Sequence, residues 1–330
     1  MKKILAMVAA AGLVAVLLTA CGGGKSADGQ ITIKFSHVVA PDAPKGKAAQ
    51  KFKELVEEKT DGKVKVQVYP NGQLYGDNEE MEALQANNVQ LISPSITKLV
   101  GFDPAFQIVD MPFLFRDSKH VQTFWNGKYG QELFDRLKKQ NVQSLAVWEN
   151  GFKQWVNSDK PLKKPEDFKG LKFRVQAGKV LEAQYKQLGA GAVAIPFNDT
   201  YTALQQGTVD GTENTFNNME TQKYQEVQKY MTVADFGRID YVVLTNTEFW
   251  NSLPDDVKPK IEEAMKEATE YENSLADDLN QESYKKMKDA GVQVHVLTDA
   301  ERKDFEKAFE PMYRNFEKVI GKEILEGARK

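Results

Sequence analysis

Residues 255–291 read DDVKPKIEEAMKEATEYENSLADDLNQESYKKMKDAG, and this stretch predicts one continuous helix. Apolar residues follow one stripe at helical spacing, namely Ile261, Met265, Ala268, Leu275 and Leu279. At about 1.5 Å of rise per residue, a helix of this length extends roughly 54 Å. That length exceeds the width of a single small domain, so the stretch indicates a helix that braces two lobes at once.

Strands and helices alternate along most of the remaining chain. ITIKFSHV at 31–38 and VKVQVY at 64–69 have the period-two alternation of strands, and KAAQKFKELVEEKT at 47–60 has the apolar spacing of a helix between them. Strands separated by helices are typical of parallel sheets in α/β proteins. A polar, proline-bearing connection at 157–170 then leads into a second unit of the same kind. We therefore predict an α/β fold of two lobes with a cleft between them.

The start of the chain carries signals for export and anchoring. Two lysines precede the apolar run ILAMVAAAGLVAVLL at 4–18, which is short for a membrane span and has the length of a signal-peptide core. The single cysteine follows in LTAC, which resembles a bacterial lipoprotein lipobox. This resemblance implies a lipoprotein signal peptide at 1–20, lipidation of Cys21 and a flexible tether at 21–30. The mature protein would then be lipid-anchored in the periplasm or on the outer face of the cell membrane. The alternative is a plain secretory signal with an incidental cysteine.

Composition and motifs argue against nucleic-acid binding and catalysis. The chain has 44 Lys and Arg against 47 Asp and Glu, without a basic stripe, so nucleic acid is not an expected partner. His37, His120 and His295 are too dispersed to form a metal pair, and a single cysteine cannot build a zinc cluster. The sequence has no nucleophile elbow and no phosphate-binding loop. We therefore predict a protein that is not an enzyme and has no metal or cofactor. A lyase or hydrolase acting on a small acid is the weaker alternative.

The strand LKFRV, residues 171–175, supplies a candidate binding group. Because side chains alternate along a strand, its three apolar residues share one face, and Lys172 and Arg174 share the other. In open α/β sheets ligands bind where strands end, and polar residues gather at several such ends in this chain. The planar guanidinium of arginine can give two charge-assisted hydrogen bonds to one carboxylate. Arg174 is therefore a candidate for binding an acidic ligand, and a salt bridge to a structural acid is the alternative.

Longer motifs carry a resemblance to a known family over nearly the whole mature chain. The chain resembles the substrate-binding proteins of tripartite ATP-independent periplasmic (TRAP) transporters, above all their dicarboxylate branch, in motifs such as SHVVAPDAPKGKAAQKF, KPEDFKGLKFRV and YTALQQGTVDGTEN. This resemblance implies a two-lobed periplasmic-binding-protein-like (type II) fold, with a hinge and a long helix that spans both lobes. We place one lobe at 31–151 plus 240–279 and the other at 152–239 plus 280–330.

The resemblance also implies which residues bind the ligand. The family's arginine in GLK-x-R-V forms a bidentate salt bridge to the substrate carboxylate, and it matches Arg174. The asparagine that also binds this carboxylate matches Asn214, and the aromatic residue beside the ligand matches Phe197. Lys153 stands where many members carry a second arginine. A lysine ammonium is a point charge and cannot give the paired hydrogen bonds of a planar guanidinium, so it constrains the orientation of the carboxylate less.

Three further positions are candidates for contacts to a second acidic group. Ser95 stands where other branches have a ligand-contacting glutamate, and a serine there removes repulsion toward a second carboxylate. Lys45 and His37, in the first strand and the loop after it, are the other two candidates. One segment departs from the dicarboxylate branch, because ADFGR at 234–238 stands where that branch often has a histidine.

These features predict an extracytoplasmic solute receptor. The protein is expected to capture an organic acid, a short dicarboxylate, by closing its cleft and to deliver it to the membrane subunits of a TRAP permease. A ligand shifts the equilibrium between the open and the closed form toward the closed form, because it contacts both lobes only there. The alternative is a ligand-binding sensor that presents its closed form to a membrane signalling partner.

Overall fold

The structure is a computed structural model that describes residues 30–330. The predicted signal peptide, the tether up to residue 29 and Cys21 lie outside the described residues. Within the described part of the chain, no helix is both long enough and apolar enough to cross a membrane.

The strands form two mixed sheets. In chain order they are β1 Ile31–Ser36, β2 Val64–Tyr69, β3 Leu91–Ile92, β4 Val142–Phe152, β5 Gln154–Asn157, β6 Lys172–Val175, β7 Gly191–Ala194, β8 Gly211–Asn214, β9 Tyr230–Val233, β10 Arg238–Asn246 and β11 Gln293–Val296. Sheet A has the order β2-β1-β3-β10-β4, and sheet B has the order β11-β9-β5-β8-β6-β7. Each sheet belongs to one lobe of a two-lobed type II fold, as predicted.

The prediction of parallel sheets is wrong for one strand in each sheet. Strand β10 is antiparallel to β3 and β4 in sheet A, and β5 is antiparallel to β8 and β9 in sheet B. The reason lies in how the chain crosses between the lobes. It passes from β4 in sheet A to β5 in sheet B, and it returns from β9 to β10. Each crossing strand enters its new sheet from the other lobe, so it runs against its neighbours.

The helices cover the faces of these sheets. They are α1 Pro44–Lys59, α2 Glu80–Gln85, α3 Ser118–Asn126, α4 Lys128–Arg136, α5 Lys179–Gln187, α6 Thr200–Gln205, α7 Phe216–Thr221, α8 Thr247–Asn251, α9 Lys258–Asp289, α10 Asp299–Ile320 and α11 Lys322–Gly327. Short 3₁₀ segments connect them, among them Ile96–Gly101 and Pro104–Asp110.

The long helix α9 has 32 residues and spans both lobes, as predicted. On the side of sheet A, Thr269 accepts a hydrogen bond from the Trp148 indole N–H at 2.9 Å. On the side of sheet B, Asn280 Oδ1 accepts a hydrogen bond from the backbone N–H of Asn217, in α7, at 3.0 Å. A helix of this length is about 48 Å long at about 1.5 Å per residue.

Only the first half of the predicted apolar stripe of α9 is buried. Ile261, Met265 and Ala268 lie in the core, but Leu275 and Leu279 are half-buried. The buried positions of the second half include polar residues, namely Glu272, Asn280 and Ser283. These side chains contact polar groups of the elements packed against α9. The buried face of this half of the helix is therefore polar and leaves no apolar pattern in the sequence.

Candidate functional site

A small cavity lies between the two sheets. It is lined by Val38, Val39, Lys45, Asp77, Ser95, Gln176, Phe197, Asn214, Asn218, Ile239 and Tyr241, and its volume is about 20 Å³. A cavity of this volume holds about one water molecule. We call it the ligand cavity. Four of the residues predicted to bind the ligand line it, namely Lys45, Ser95, Phe197 and Asn214.

Asn214 ends β8 with its side-chain amide fixed in one orientation. Its Oδ1 accepts hydrogen bonds from the backbone N–H of Thr215 and from the side-chain amide of Asn218, both at 2.9 Å. Because these bonds engage the carbonyl oxygen, the Nδ2 group is the part of the amide left to donate. Asn214 thus offers N–H donors, which suit a carboxylate.

Arg174 is a buried cation without an acidic partner. Its side chain is fully buried, and its Nε donates a hydrogen bond to the carbonyl oxygen of Ile195 at 2.9 Å. Neither Nη1 nor Nη2 has a hydrogen-bond partner among residues 30–330, and Arg174 forms no ion pair there. An unpaired charge in such a place is costly. The guanidinium does not line the ligand cavity, but its Nη1 and Nη2 groups have no partner among residues 30–330 and can donate to a ligand.

The strand around Arg174 explains its orientation. Phe173 stacks on Phe168 and Tyr185, with ring centroids 5.3 and 4.7 Å apart, in the core on one face of β6. Alternation then directs Arg174 and Gln176 to the opposite face. Lys172, the first residue of the strand, is exposed.

Lys45 lies in the first turn of α1 and lines the ligand cavity from the other lobe. Its Nζ donates a hydrogen bond to the carbonyl oxygen of Ser93 at 2.7 Å and lies 3.6 Å from the centroid of the Tyr241 ring. Burial lowers the pKa of Lys45 to about 8, although Glu80 and Asp77 oppose this shift. No carboxylate within the described chain lies within ion-pair distance of the ammonium. Lys45 is therefore the second cation at this cleft without an acidic partner.

His37 and Ser95 differ in their access to the ligand cavity. His37 is fully buried and does not line the cavity. Burial, together with the charge of Lys45, lowers the pKa of His37 to about 3, so the imidazole is neutral. Ser95 lines the cavity, and its Oγ has no partner among the described residues.

The structure does not bring Lys153 to the ligand cavity. It lies between β4 and β5, where its backbone N–H donates to the carbonyl oxygen of Gly237 in the second crossing segment at 2.9 Å. Its ammonium is bonded to Asp110 at 2.9 Å and to Glu213 at 3.0 Å. These carboxylates raise the pKa of Lys153 despite its burial. The predicted role of Lys153 in binding is therefore not supported, because its ammonium is already paired with two carboxylates of the protein.

The ADFGR segment lies at the second crossing and ends in Arg238. The Arg238 guanidinium pairs with Asp240 at 2.7 Å and with Glu149 at 3.1 Å. This arginine is also occupied by structural acids. The departure from the dicarboxylate branch therefore falls at the crossing between the lobes, and none of residues 234–238 lines the ligand cavity.

Sequence reasoning missed several residues that line the ligand cavity. Gln176 directly follows β6 and stands two positions after Arg174, so strand alternation offered a signal for it. Asn218 stands four positions after Asn214, beyond the end of β8. Tyr241 had no signal in the sequence. Its hydroxyl oxygen accepts hydrogen bonds from the side-chain amides of Asn150 at 2.6 Å and Asn218 at 3.0 Å.

Two sets of contacts join the lobes beside the ligand cavity. Asp77 Oδ2 pairs with Lys98 at 2.7 Å and accepts the backbone N–H of Phe197 at 3.1 Å. The Asn198 side-chain amide donates to the carbonyl oxygen of Val38 at 3.1 Å. The Asp77–Phe197 and Asn198–Val38 contacts link residues on either side of the cleft, so the described conformation is a closed one.

Neighbouring acids leave the positive charge at the cleft uncompensated. Asp77 is paired with Lys98. Burial raises the pKa of Glu80 to about 8, so this carboxyl is protonated at neutral pH. Within residues 30–330, no group of three or more His, Cys, Asp or Glu side chains is placed to hold a metal ion. The arrangement offers two unpaired cations and several neutral donors, which together suit an anion.

Comparisons with known proteins agree with this chemistry. The model of the DctP family, described as bacterial extracellular solute-binding protein, family 7, matches residues 35–319. The C4-dicarboxylate-binding periplasmic protein DctP of Rhodobacter capsulatus is 45% identical over 300 residues, which cover 89% of this chain and 89% of that protein. The C4-dicarboxylate-binding protein DctB of Bacillus subtilis (strain 168) is 41% identical over 297 residues, which cover 90% of this chain and 85% of that protein.

A solved structure shows that the fold of this chain is similar to that of a TRAP solute-binding protein. A TRAP periplasmic solute-binding protein from Shewanella oneidensis, with bound succinate, matches with a TM-score of 0.89 at 41% sequence identity. The match covers 91% of this chain and 98% of that chain.

Proposed function

The chain belongs to the DctP family of bacterial extracellular solute-binding proteins, and we propose that it binds a four-carbon dicarboxylate between its lobes for delivery to a TRAP permease. The observation that carries this proposal is the pair of buried cations without acidic partners, Arg174 beside sheet B and Lys45 beside sheet A. A dianion compensates both charges, whereas a monocarboxylate leaves one of them buried and unpaired.

Each end of the ligand has its own set of donors in this proposal. Arg174 and Asn214 hold one carboxylate, and Phe197 lies beside the ligand. Lys45 and Ser95 hold the second carboxylate, and the imidazole of His37, near enough to feel the Lys45 charge, stays neutral. The lobes must open for a ligand to enter and must stay wider apart than in the described conformation while it is bound, because the closed cavity holds about one water molecule.

The comparisons support a transport receptor rather than the sensor alternative. The relatives named above are binding proteins for dicarboxylates, and the solved structure belongs to a TRAP transporter. Members of this family are receptors rather than enzymes, and we propose that the acid leaves this protein chemically unchanged.

A thermal-shift screen tests the proposed ligand class. Because a ligand that binds only the folded state stabilises it by about 4 kcal/mol at 1,000 times its Kd, succinate and malate should raise the Tm clearly. Sialic and hexuronic acids should raise it less, because a small cleft with two cations that lack acidic partners suits a small dianion. Butyrate, which matches succinate in length and lacks one carboxylate, is the matched control.

The screen also has an outcome that contradicts the proposal. A rise in Tm with sugar acids alone would overturn the dicarboxylate assignment. Recovery of an altered acid after incubation with the protein would overturn the receptor role in favour of an enzyme.

We also propose that Cys21 is the lipid anchor, as the LTAC sequence indicates. Cys21→Ser should release the protein from the membrane fraction while the affinity for ligand stays unchanged, because Cys21 is not among the residues proposed to bind the ligand. Fractionation of cells and mass spectrometry of the mature amino terminus measure this. Unchanged membrane retention in the serine variant would contradict the anchor.

A further inference from the structure

We infer that the Gln176 side chain is the wall that limits the length of the ligand. This inference rests on the proposed dicarboxylate function and adds the residue that selects among dicarboxylates. It starts from a second cavity of about 410 Å³ beside the ligand cavity, which we call the outer cavity. Its lining includes Lys98, Val100, Phe102, Ile195 and Pro196.

Two residues line both cavities, namely Asp77 and Gln176. They therefore form the partition between the small ligand cavity and the larger outer cavity. Removing either side chain would join the two spaces, but the two residues are held in different ways.

Asp77 is fixed by strong contacts. Its carboxylate is bonded to the Lys98 ammonium at 2.7 Å and to the backbone N–H of Phe197 at 3.1 Å. Its removal would leave the largely buried Lys98 charge without its partner and would break a contact between the lobes. Asp77 is thus a structural part of the partition.

Gln176 is the part of the partition that can be removed. It is 6% exposed, and its Nε2 has no hydrogen-bond partner among the described residues. Truncating this side chain therefore breaks no hydrogen bond of Nε2 and opens the ligand cavity toward the outer cavity. Lys98 lines the outer cavity as well, and its ammonium stays bonded to Asp77 at the partition.

The partition gives a physical reason for selection by length. The closed ligand cavity has room for about one water molecule, so even a four-carbon diacid must displace its walls, and each further methylene of a five- or six-carbon diacid must displace them more. In a fitted site one methylene changes binding by about 10–200-fold. With Gln176 shortened, the additional methylenes enter the outer cavity.

Calorimetry with succinate, glutarate and adipate tests this on the full protein. The measured quantity is the affinity for adipate divided by the affinity for succinate. We expect this ratio to rise by at least about tenfold in Gln176→Ala, because at least one methylene gains room. Gln176→Asn keeps the amide and shortens the side chain by one methylene, so it should give a smaller rise and serves if the alanine variant does not fold.

Val100→Ala is the matched control, because Val100 lines the outer cavity but not the partition. Its ratio should stay at the wild-type value. If both Gln176 variants weaken all three acids equally, the side chain is a donor to the ligand rather than a wall, and the inference is overturned. If the wild type binds none of the three acids, the proposed function is overturned instead.

Discussion

Arg174→Ala is expected to bind a four-carbon dicarboxylate more weakly than the wild type by about 30-fold to several thousand-fold. Truncating one member of a desolvated, hydrogen-bonded charge pair costs about 2–5 kcal/mol, and about 1.4 kcal/mol corresponds to a factor of ten in affinity. Arg174→Lys keeps the charge and loses the fork, so its loss should lie near the lower end. Isothermal calorimetry with succinate measures both variants.

The stability of the ligand-free protein separates a ligand-binding arginine from a structural one. Because Arg174 forms no ion pair among the described residues, Arg174→Met should leave the Tm without ligand nearly unchanged while it lowers the affinity. Lys172→Met is the matched control, because it removes a charge from the exposed end of the same strand. Loss of stability in ligand-free Arg174→Met, with affinity preserved, would contradict the assignment.

Lys45→Met is expected to abolish the preference for a dicarboxylate over a monocarboxylate. The wild type should bind succinate more tightly than butyrate, and the variant should bind the two with similar affinity. The loss for succinate should again correspond to about 2–5 kcal/mol. Lys47→Met removes a charge from the same helix without touching the ligand cavity, and it should retain the preference.

The pH dependence of binding gives a second measure of the Lys45 role. The pKa of Lys45 without ligand is lowered to about 8, and a bound carboxylate favours the charged form and raises this pKa. The affinity of the wild type for succinate should therefore change little with pH just below 8, where both carboxylates of succinate are ionised, and fall as the pH rises above 8. In Lys45→Met this fall should be absent. A fall of equal size in both proteins would assign the titration to another group.

The helices and strands could be predicted from the sequence where periodically spaced apolar residues pack into an apolar core. Strand β2 has the predicted bounds, and α9 begins and ends within three residues of them. The pattern failed where packing is polar. Leu275 and Leu279 interrupt the buried stripe because Asn280 and Ser283 face polar partners in α7.

The site could be predicted only in part, because its geometry depends on contacts distant in sequence. Lys153 matched a family position for a ligand-binding cation. Its ammonium instead meets Asp110, which is 43 positions away, and Glu213, which is 60 positions away. Neither contact leaves a local pattern. Asn214 had a motif around it, but only the structure shows that Asn218 and Thr215 direct its amide.

In mechanical terms, Lys153 is a pivot. It lies in one crossing segment, is hydrogen-bonded to the other through Gly237, and binds Asp110 and Glu213 from different parts of the fold. Breaking such a buried trio costs several kcal/mol because each charge left behind loses its partners. The lobes should therefore rotate about this point rather than slide apart. The Asp77–Phe197 and Asn198–Val38 contacts, which lie across the cleft, are then the ones that such a rotation breaks.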